Sequence, residues 1–175
     1  MAAFLPLVVR LTKEGKTAAL IDSNICWYPP AFARAGADLR YVMLVSPRRP
    51  RELLWVTEQC FASEAIALTI AHVEGLKDLE LRRLGLMAEN GGNGCVLLRP
   101  LHELHHSAAS LRLVIRPWPG KPDKQSFHVE IARVRGALPP PPMILEFDHE
   151  SPLAVSATAA LPLSAGDTGK AAASA

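Results

Sequence analysis

The sequence predicts a three-layer α/β fold built on a mixed sheet with a parallel centre and antiparallel carboxyl-terminal strands. Up to residue 98, apolar runs suited to buried strands alternate with helical segments at short spacing. Beyond residue 108, polar and apolar residues alternate and short turns separate the runs, which is typical of antiparallel strands. The length of 175 residues and the apolar content of 49% suit one domain with a sizeable core.

Four helices and four buried strands are predicted in the first part of the chain. Residues 1–14 have helical apolar spacing and end before Gly15, a common residue after a helix. Further helices are predicted at residues 30–35, 51–62 and 76–89. The continuous apolar runs that predict parallel strands are residues 17–22, 41–45, 65–71 and 95–98.

The later part of the chain predicts antiparallel strands and then a tail. Residues 109–116, 127–135 and 143–147 are the predicted strands. The four prolines at 139–142 form a stiff, extended linker. From Ser151 onward, small residues with few large apolar groups predict disorder. We therefore expect a core domain over residues 1–148 and a disordered tail over residues 149–175.

Composition narrows the class of protein. The net charge of +2 is too small to imply a nucleic-acid partner by itself. Cys26, Cys60 and Cys95 are odd in number and form no CxxC pair, which fits a reducing cytoplasm better than a disulfide framework or a zinc module. No stretch approaches the roughly 20 apolar residues of a membrane span, and the start lacks the basic region of a signal peptide.

Several segments resemble known proteins in their order and spacing. Residues 14–22 (EGKTAALID), 30–39 (PAFARAGADL), 109–116 (ASLRLVIR) and 127–147 resemble successive parts of the core of RecA recombinases. The resemblance covers about residues 1–148. Residues 81–92 and 96–100 resemble ImuA, one of the shortened relatives, together with SulA, in which the core persists while catalytic positions change.

This resemblance implies three functional hypotheses. ImuA-type proteins are associated with SOS-induced translesion synthesis, alongside an ImuB-type homologue of Y-family polymerases and an error-prone replicative polymerase. The first hypothesis is a non-catalytic accessory protein that contacts these partners, with RecA and DNA as further contacts. The second is a SulA-like division inhibitor that binds FtsZ. The third is a RecA-like ATPase whose first residues are missing from this sequence.

The residues needed for ATP hydrolysis are missing from their expected positions. A phosphate loop, GxxxxGK[ST], stands between a strand and a helix, but residues 15–17 (GKT) follow a helix and precede a strand. Arg10 occupies the position of the first glycine. By the resemblance, Asn24 replaces the glutamate that activates water, His72 replaces the aspartate of the magnesium shell, and Arg99 replaces the glutamine that senses the γ-phosphate. We therefore expect no catalytic residue and no cofactor.

Arg48, Arg49 and Arg51 are a first candidate contact site. They follow a predicted strand at its carboxyl end, the edge where open α/β sheets bind ligands. Guanidinium groups there are suited to phosphates. The alternative is a solvated start of a helix.

Arg133 and Arg135 are a second candidate site, as residues i and i+2 on one strand face. By the resemblance, they match paired lysines with which RecA reaches the nucleotide of a neighbouring subunit. Arg112 and Arg116 extend the basic strip onto the adjacent strand, where an acidic partner or a DNA backbone is the expected ligand. The alternative is a solvated strand face.

Two further groups are weaker candidates. His102, His105 and His106 are the densest histidine cluster, but their spacing fits no closed zinc template, so we expect a mobile loop and no metal. Trp27 and Tyr28 follow the first strand, where they are suited equally to an interface and to the core.

Overall fold

The computed structural model describes residues 2–24, 27–103, 109–120, 124–148 and 155–159. The chain divides into two compact units, Met1–Ala109 and Ser110–Ala175. In the part of the chain that is described, the first unit contains the helices and a parallel sheet, and the second contains an antiparallel sheet.

Helices and strands alternate in the first unit. Its helices are α1 (Leu5–Lys13), α2 (Pro29–Arg34), α3 (Pro50–Ala62) and α4 (Asp78–Gly91). Its strands are β1 (Thr17–Ile21), β2 (Val42–Val45), β3 (Ile66–His72) and β4 (Gly94–Leu98). They pair in parallel in the order β2-β1-β3-β4. The helices and parallel strands predicted for this part of the chain are confirmed, with small shifts in their bounds.

Both faces of the parallel sheet pack against helices, because successive side chains of a strand point to opposite faces. Ala18 and Leu20 of β1 join a cluster with Val8 of α1 and Phe32 of α2. Ala19 and Ile21, the alternate residues, join a cluster with Leu53 and Cys60 of α3. This double burial explains why the strands are continuous apolar runs rather than alternating ones.

The helices α3 and α4 are joined by polar contacts and by one close approach. Arg83 Nη2 donates to Glu58 Oε2 at 2.8 Å, and Glu58 is buried. The side-chain amide of Asn93 donates to the carbonyl oxygens of Cys60 (3.2 Å) and Ser63 (3.1 Å) at the end of α3. The same carbonyls accept the N–H groups of Ser63 (3.4 Å) and Ile66 (3.2 Å), so Asn93 adds a second bond to each of them. A Cβ at Gly91, the last residue of α4, would collide with the carbonyl oxygen of Phe61.

The second unit is an antiparallel sheet in the order β5-β6-β7-β8. Its strands are β5 (Leu111–Trp118), β6 (Lys124–Val134), β7 (Met143–Asp148) and β8 (Val155–Ala159). The register places Ile115, Val129 and Met143 on one face and Arg116, His128 and Ile144 on the other.

The expected position of the antiparallel strands differs from this architecture. The sequence predicts the antiparallel strands at the edge of one mixed sheet, but they form a four-stranded sheet of their own. The alternation of polar and apolar residues predicts which strands joined by short turns pair with each other. It does not predict whether the outermost of these strands pairs with a strand of the parallel sheet. A single core domain over residues 1–148 stays a prediction, and so does its assignment as a RecA-like core.

The predicted disorder from Ser151 onward is wrong for residues 155–159, which form β8 and pair with β7. Main-chain hydrogen bonds hold an edge strand without large side chains, so composition alone does not exclude one. The rest of that segment lies outside the described residues.

We predict that Gly91→Ala lowers the free energy of unfolding by about 1–3 kcal/mol, because the added methyl group forces the ends of α3 and α4 apart. Urea unfolding followed by circular dichroism measures the change. Asn90→Ala, at the exposed neighbouring position, is the matched control and should stay within about 0.5 kcal/mol of the parent. Equal stabilities for the two variants would contradict the close approach.

Candidate functional site

The carboxyl ends of β1 and β3 lie side by side where the strand order changes direction. From β1 the chain moves to β2 on one side, and then to β3 on the other side. Such a switch point is where open α/β sheets bind ligands. Asp22 follows β1 directly, and His72 is the last residue of β3, so both side chains lie at this point.

Asp22 and His72 contact each other at the switch point. Asp22 is 1% exposed, its Oδ1 accepts from the Asn24 N–H at 2.9 Å, and it lies 3.5 Å from His72 Nδ1. His72 Nε2 lies 3.7 Å from Glu74 Oε1. A side chain that bonds the main chain two residues on is a typical way to turn a chain after a strand. The histidine therefore stands between two carboxylates of the protein itself.

The loops that follow β3 and β4 are joined through Glu103. Its Oε1 accepts from the Gly75 N–H at 2.7 Å, and its Oε2 accepts from Arg99 Nη2 at 3.2 Å. The hydrogen bond from Gly75, assisted by Arg99, lowers the pKa of the Glu103 carboxyl group. Arg99 is largely buried and is used inside the protein. Arg99, which stands where the sequence comparison expected a glutamine that senses the γ-phosphate, thus stabilises a loop.

Residues 15–17 (GKT) connect α1 to β1. The Gly15 N–H donates to Thr12 O at 3.1 Å, and the Lys16 N–H donates to Leu11 O at 3.0 Å. Gly15 has a φ of 73°, which completes a left-handed end of the helix. These N–H groups are already bonded to helix carbonyls, so they do not point together toward a phosphate.

The described cysteines and histidines form no reactive or metal-binding group. Burial raises the pKa of the Cys95 thiol to about 11 and raises the pKa of the Cys60 thiol as well. Over the described ranges, His, Cys, Asp and Glu side chains form no cluster of three that could hold a metal ion. Of the histidine cluster, His102 is exposed, whereas His105 and His106 lie outside the described residues, as does Cys26.

Arg48, Arg49 and Arg51 surround the start of α3 and are exposed. The Arg48 N–H donates to Glu52 Oε2 at 3.2 Å, and Arg49 Nε lies 3.7 Å from Glu52 Oε1. Within the described part of the chain, the guanidinium groups of Arg48 and Arg51 have no acidic partner. Glu52 therefore neutralises one of the three charges and leaves two.

The second candidate site is only partly assembled. Arg112 lies directly opposite Arg133, and Arg116 is on the same face of the sheet. Arg116 is 24% exposed and lies 3.6 Å from Glu130. β6 ends at Val134, and the Arg135 N–H donates to Ser110 O at 2.8 Å just beyond the strand, so the expectation that Arg133 and Arg135 share a face stays a prediction.

Contacts within the chain also engage three arginines of the strip, namely Arg112, Arg133 and Arg135. Like charges placed opposite each other on a sheet destabilise it unless other groups pair with them. The strip is therefore less free for a ligand than its spacing in the sequence indicates.

The exposed aromatic residues differ from those selected by sequence. Trp27 is buried and packs near Phe32, with ring centroids 6.4 Å apart, whereas Tyr28 is exposed. Sequence reasoning missed Trp55, which is 60% exposed on α3. Its position four residues after Arg51 was the available signal, since residues i and i+4 share one face of a helix.

Comparisons with known proteins assign no family. No family model matches the chain, and no curated protein matches its sequence. A crystal structure of SulA from Pseudomonas aeruginosa is similar with a TM-score of 0.48 and 15% identity, over 55% of this chain and 83% of that chain. Similarity at this level carries no argument about function. No helix among the described residues has the length and apolar character needed to cross a membrane.

We predict that Glu103 makes stability depend on pH. Because its folded pKa is lowered from 4.5, its contribution is present above about pH 4.5 and is lost as the pH falls through the lowered value. The free energy of unfolding, measured with urea at about pH 6 and at about pH 3, should fall more between the two pH values for the parent than for Glu103→Gln. Glu64→Gln, at an exposed position, should behave as the parent does.

We also predict that Asp22→Ala lowers the free energy of unfolding by about 1–3 kcal/mol, because it leaves the Asn24 N–H without its acceptor and removes the carboxylate beside His72. Thermal and urea unfolding measure the loss. Asp22→Asn keeps an oxygen for Asn24 and should lose less, and Ser23→Ala at the exposed next residue should be neutral. A neutral Asp22→Ala would rule out the contact as a stabilising one.

Proposed function

We propose that this chain is a non-catalytic accessory protein of SOS-induced DNA-damage tolerance, similar to ImuA. It works by contacts with an ImuB-type homologue of Y-family polymerases and an error-prone replicative polymerase. RecA and DNA are further contacts. The observation that carries the non-catalytic part is that the polar groups at the carboxyl edge of the parallel sheet already bond one another.

A general base must reach the proton that it removes, directly or through one water molecule. Asp22 is buried and accepts from the Asn24 N–H, and His72 faces Asp22 and Glu74. The N–H groups of Gly15 and Lys16 are used to end α1. These contacts support a scaffold in which the nucleotide pocket has been replaced by internal bonds.

The RecA-like, three-layer assignment of the core is part of this proposal. The parallel order β2-β1-β3-β4, the helices on both faces of that sheet, and the antiparallel strands that follow in the chain all support it. The resemblance of residues 81–92 and 96–100 to ImuA supplies the link to translesion synthesis.

Arg112, Arg116 and Arg133 are the proposed contact for an acidic protein partner. The register of β5 and β6 places all three on one face, and Arg133 is exposed. A charged patch of this kind increases the rate of association with an oppositely charged surface and is weakened by salt.

The full chain, immobilised, should capture the ImuB-type protein and should not hydrolyse ATP with magnesium above background. Arg133→Glu should weaken capture by about tenfold or more, since it reverses a charge facing the partner. Arg10→Glu, at a 78% exposed position on α1, is the charge-matched control. Circular dichroism should show both variants folded.

Appreciable ATP turnover by the purified chain would overturn the non-catalytic part of the proposal. Capture of FtsZ and slower FtsZ assembly, with no capture of the ImuB-type protein, would replace it with the division-inhibitor hypothesis. If Arg133→Glu and the parent capture the ImuB-type protein equally well, the basic strip is not the contact.

A further inference from the structure

We propose that the surface at the start of α3, formed by Arg48 just before the helix and by Arg51 and Trp55 on it, binds single-stranded nucleic acid by pairing guanidinium groups with phosphates and stacking a base on the indole. We call this set the α3 face. The inference deepens the proposed function and rests on it for the source of the nucleic acid, but its chemistry is argued from these three side chains and their neighbours alone.

The helix terminus itself is not the binding group. Glu52 accepts from the Arg48 N–H and lies near Arg49, so a side chain of the protein already occupies the position that an anion would take. Any anion bound there must be held by side chains. Arg48 and Arg51 remain available, since neither has an acidic partner within the described part of the chain.

Cations at this end of a helix are locally unfavourable. The amino-terminal end of a helix carries partial positive charge, so a nearby guanidinium group destabilises the helix. Burial of α3 does not require these residues, because the sheet side of the helix is formed by Leu53, Thr57 and Cys60. Local departures from the most stable choice are expected where a function requires them. A polyanion bound at this surface would neutralise the charge.

Trp55 supplies the aromatic surface. It lies one helical turn after Arg51, on the same side of α3, and is 60% exposed. Its neighbours on the helix at spacings of three and four are Arg51, Glu52, Glu58 and Gln59, all polar. A protein interface usually surrounds its aromatic anchor with apolar groups. A base stacks on a ring that stands apart from other apolar groups, and the exposed Arg51 and Gln59 beside the ring can meet the phosphates and the sugar, whereas Glu58 is buried and bonded to Arg83.

Stacking on Trp55 requires a base that is not held in a duplex. The α3 face therefore favours a single strand over a double helix, and it reads no sequence because every base has a π face. The phosphates of DNA and RNA are equivalent for the two arginines, so single-stranded DNA and single-stranded RNA both belong to the proposed class of ligand.

Binding is measured by fluorescence anisotropy of labelled dT and U oligonucleotides of about 16 nucleotides, with a duplex of the same length as comparison. Trp55→Ala should weaken binding to the single strands by about tenfold, and Trp55→Phe should restore most of it. Arg48→Ala with Arg51→Ala should reduce the slope of log affinity against log salt by about 1.4.

The matched control is Arg10→Ala with Arg34→Ala. Both positions are exposed, they lie on helices that pack on the other face of the sheet, and the net charge changes by the same amount. The control should keep the affinity of the parent, while the α3 double variant loses it. Equal losses in the two double variants would show a general charge effect and overturn the proposal.

Other outcomes of the binding experiments also test the inference. Failure of the parent to bind either single strand, or equal affinity for the duplex, would overturn the inference. Displacement of the strand by a poly-glutamate peptide with no effect of Trp55→Ala would make the α3 face a site for an acidic protein instead. If the chain fails to capture the ImuB-type protein but binds single-stranded nucleic acid in a way that depends on Trp55, the proposed function is refuted and this inference stands.

Discussion

The burial of β1 over residues 18–21 is the constraint on which the first unit depends. Residues 18–21 have no exposed surface, since helices cover the strand on both sides. The next residue, Asp22, is carried into the same dry surroundings, where a carboxylate without partners is costly. The Asn24 N–H and His72 meet that requirement. Packing of the sheet thus determines the chemistry at its carboxyl edge.

The sequence predicted the parts of this fold that depend on local pattern. Continuous apolar runs indicated β1 and β3, and Gly15 marked the end of α1, because burial on two faces and a left-handed φ restrict which residues fit. The separation into two sheets was not predicted, since it depends on pairings between distant strands. The strand β8 was missed because it pairs with β7 through its main chain and carries no large apolar side chains that would mark it in the sequence.

The candidate site was less predictable than the fold for a related reason. Spacing places Arg112 and Arg133 on strand faces, but only the register shows that they lie opposite each other and are engaged within the chain. Composition gives no means of deciding that Trp27 is buried while Trp55 is exposed. The neutralisation of Arg49 by Glu52 follows from a side-chain geometry that the sequence permits but does not require.

The bonds from Asn93 to the end of α3 have a consequence for cooperativity. Cys60 and Ser63 lie 33 and 30 residues earlier in the chain, and Asn93 immediately precedes β4. The last turn of a helix ordinarily frays on its own. Here fraying of the end of α3 also breaks the bonds to Asn93, which adjoins the paired strand β4. Opening of this helix end is therefore rarer than opening of a helix end that has no such bonds.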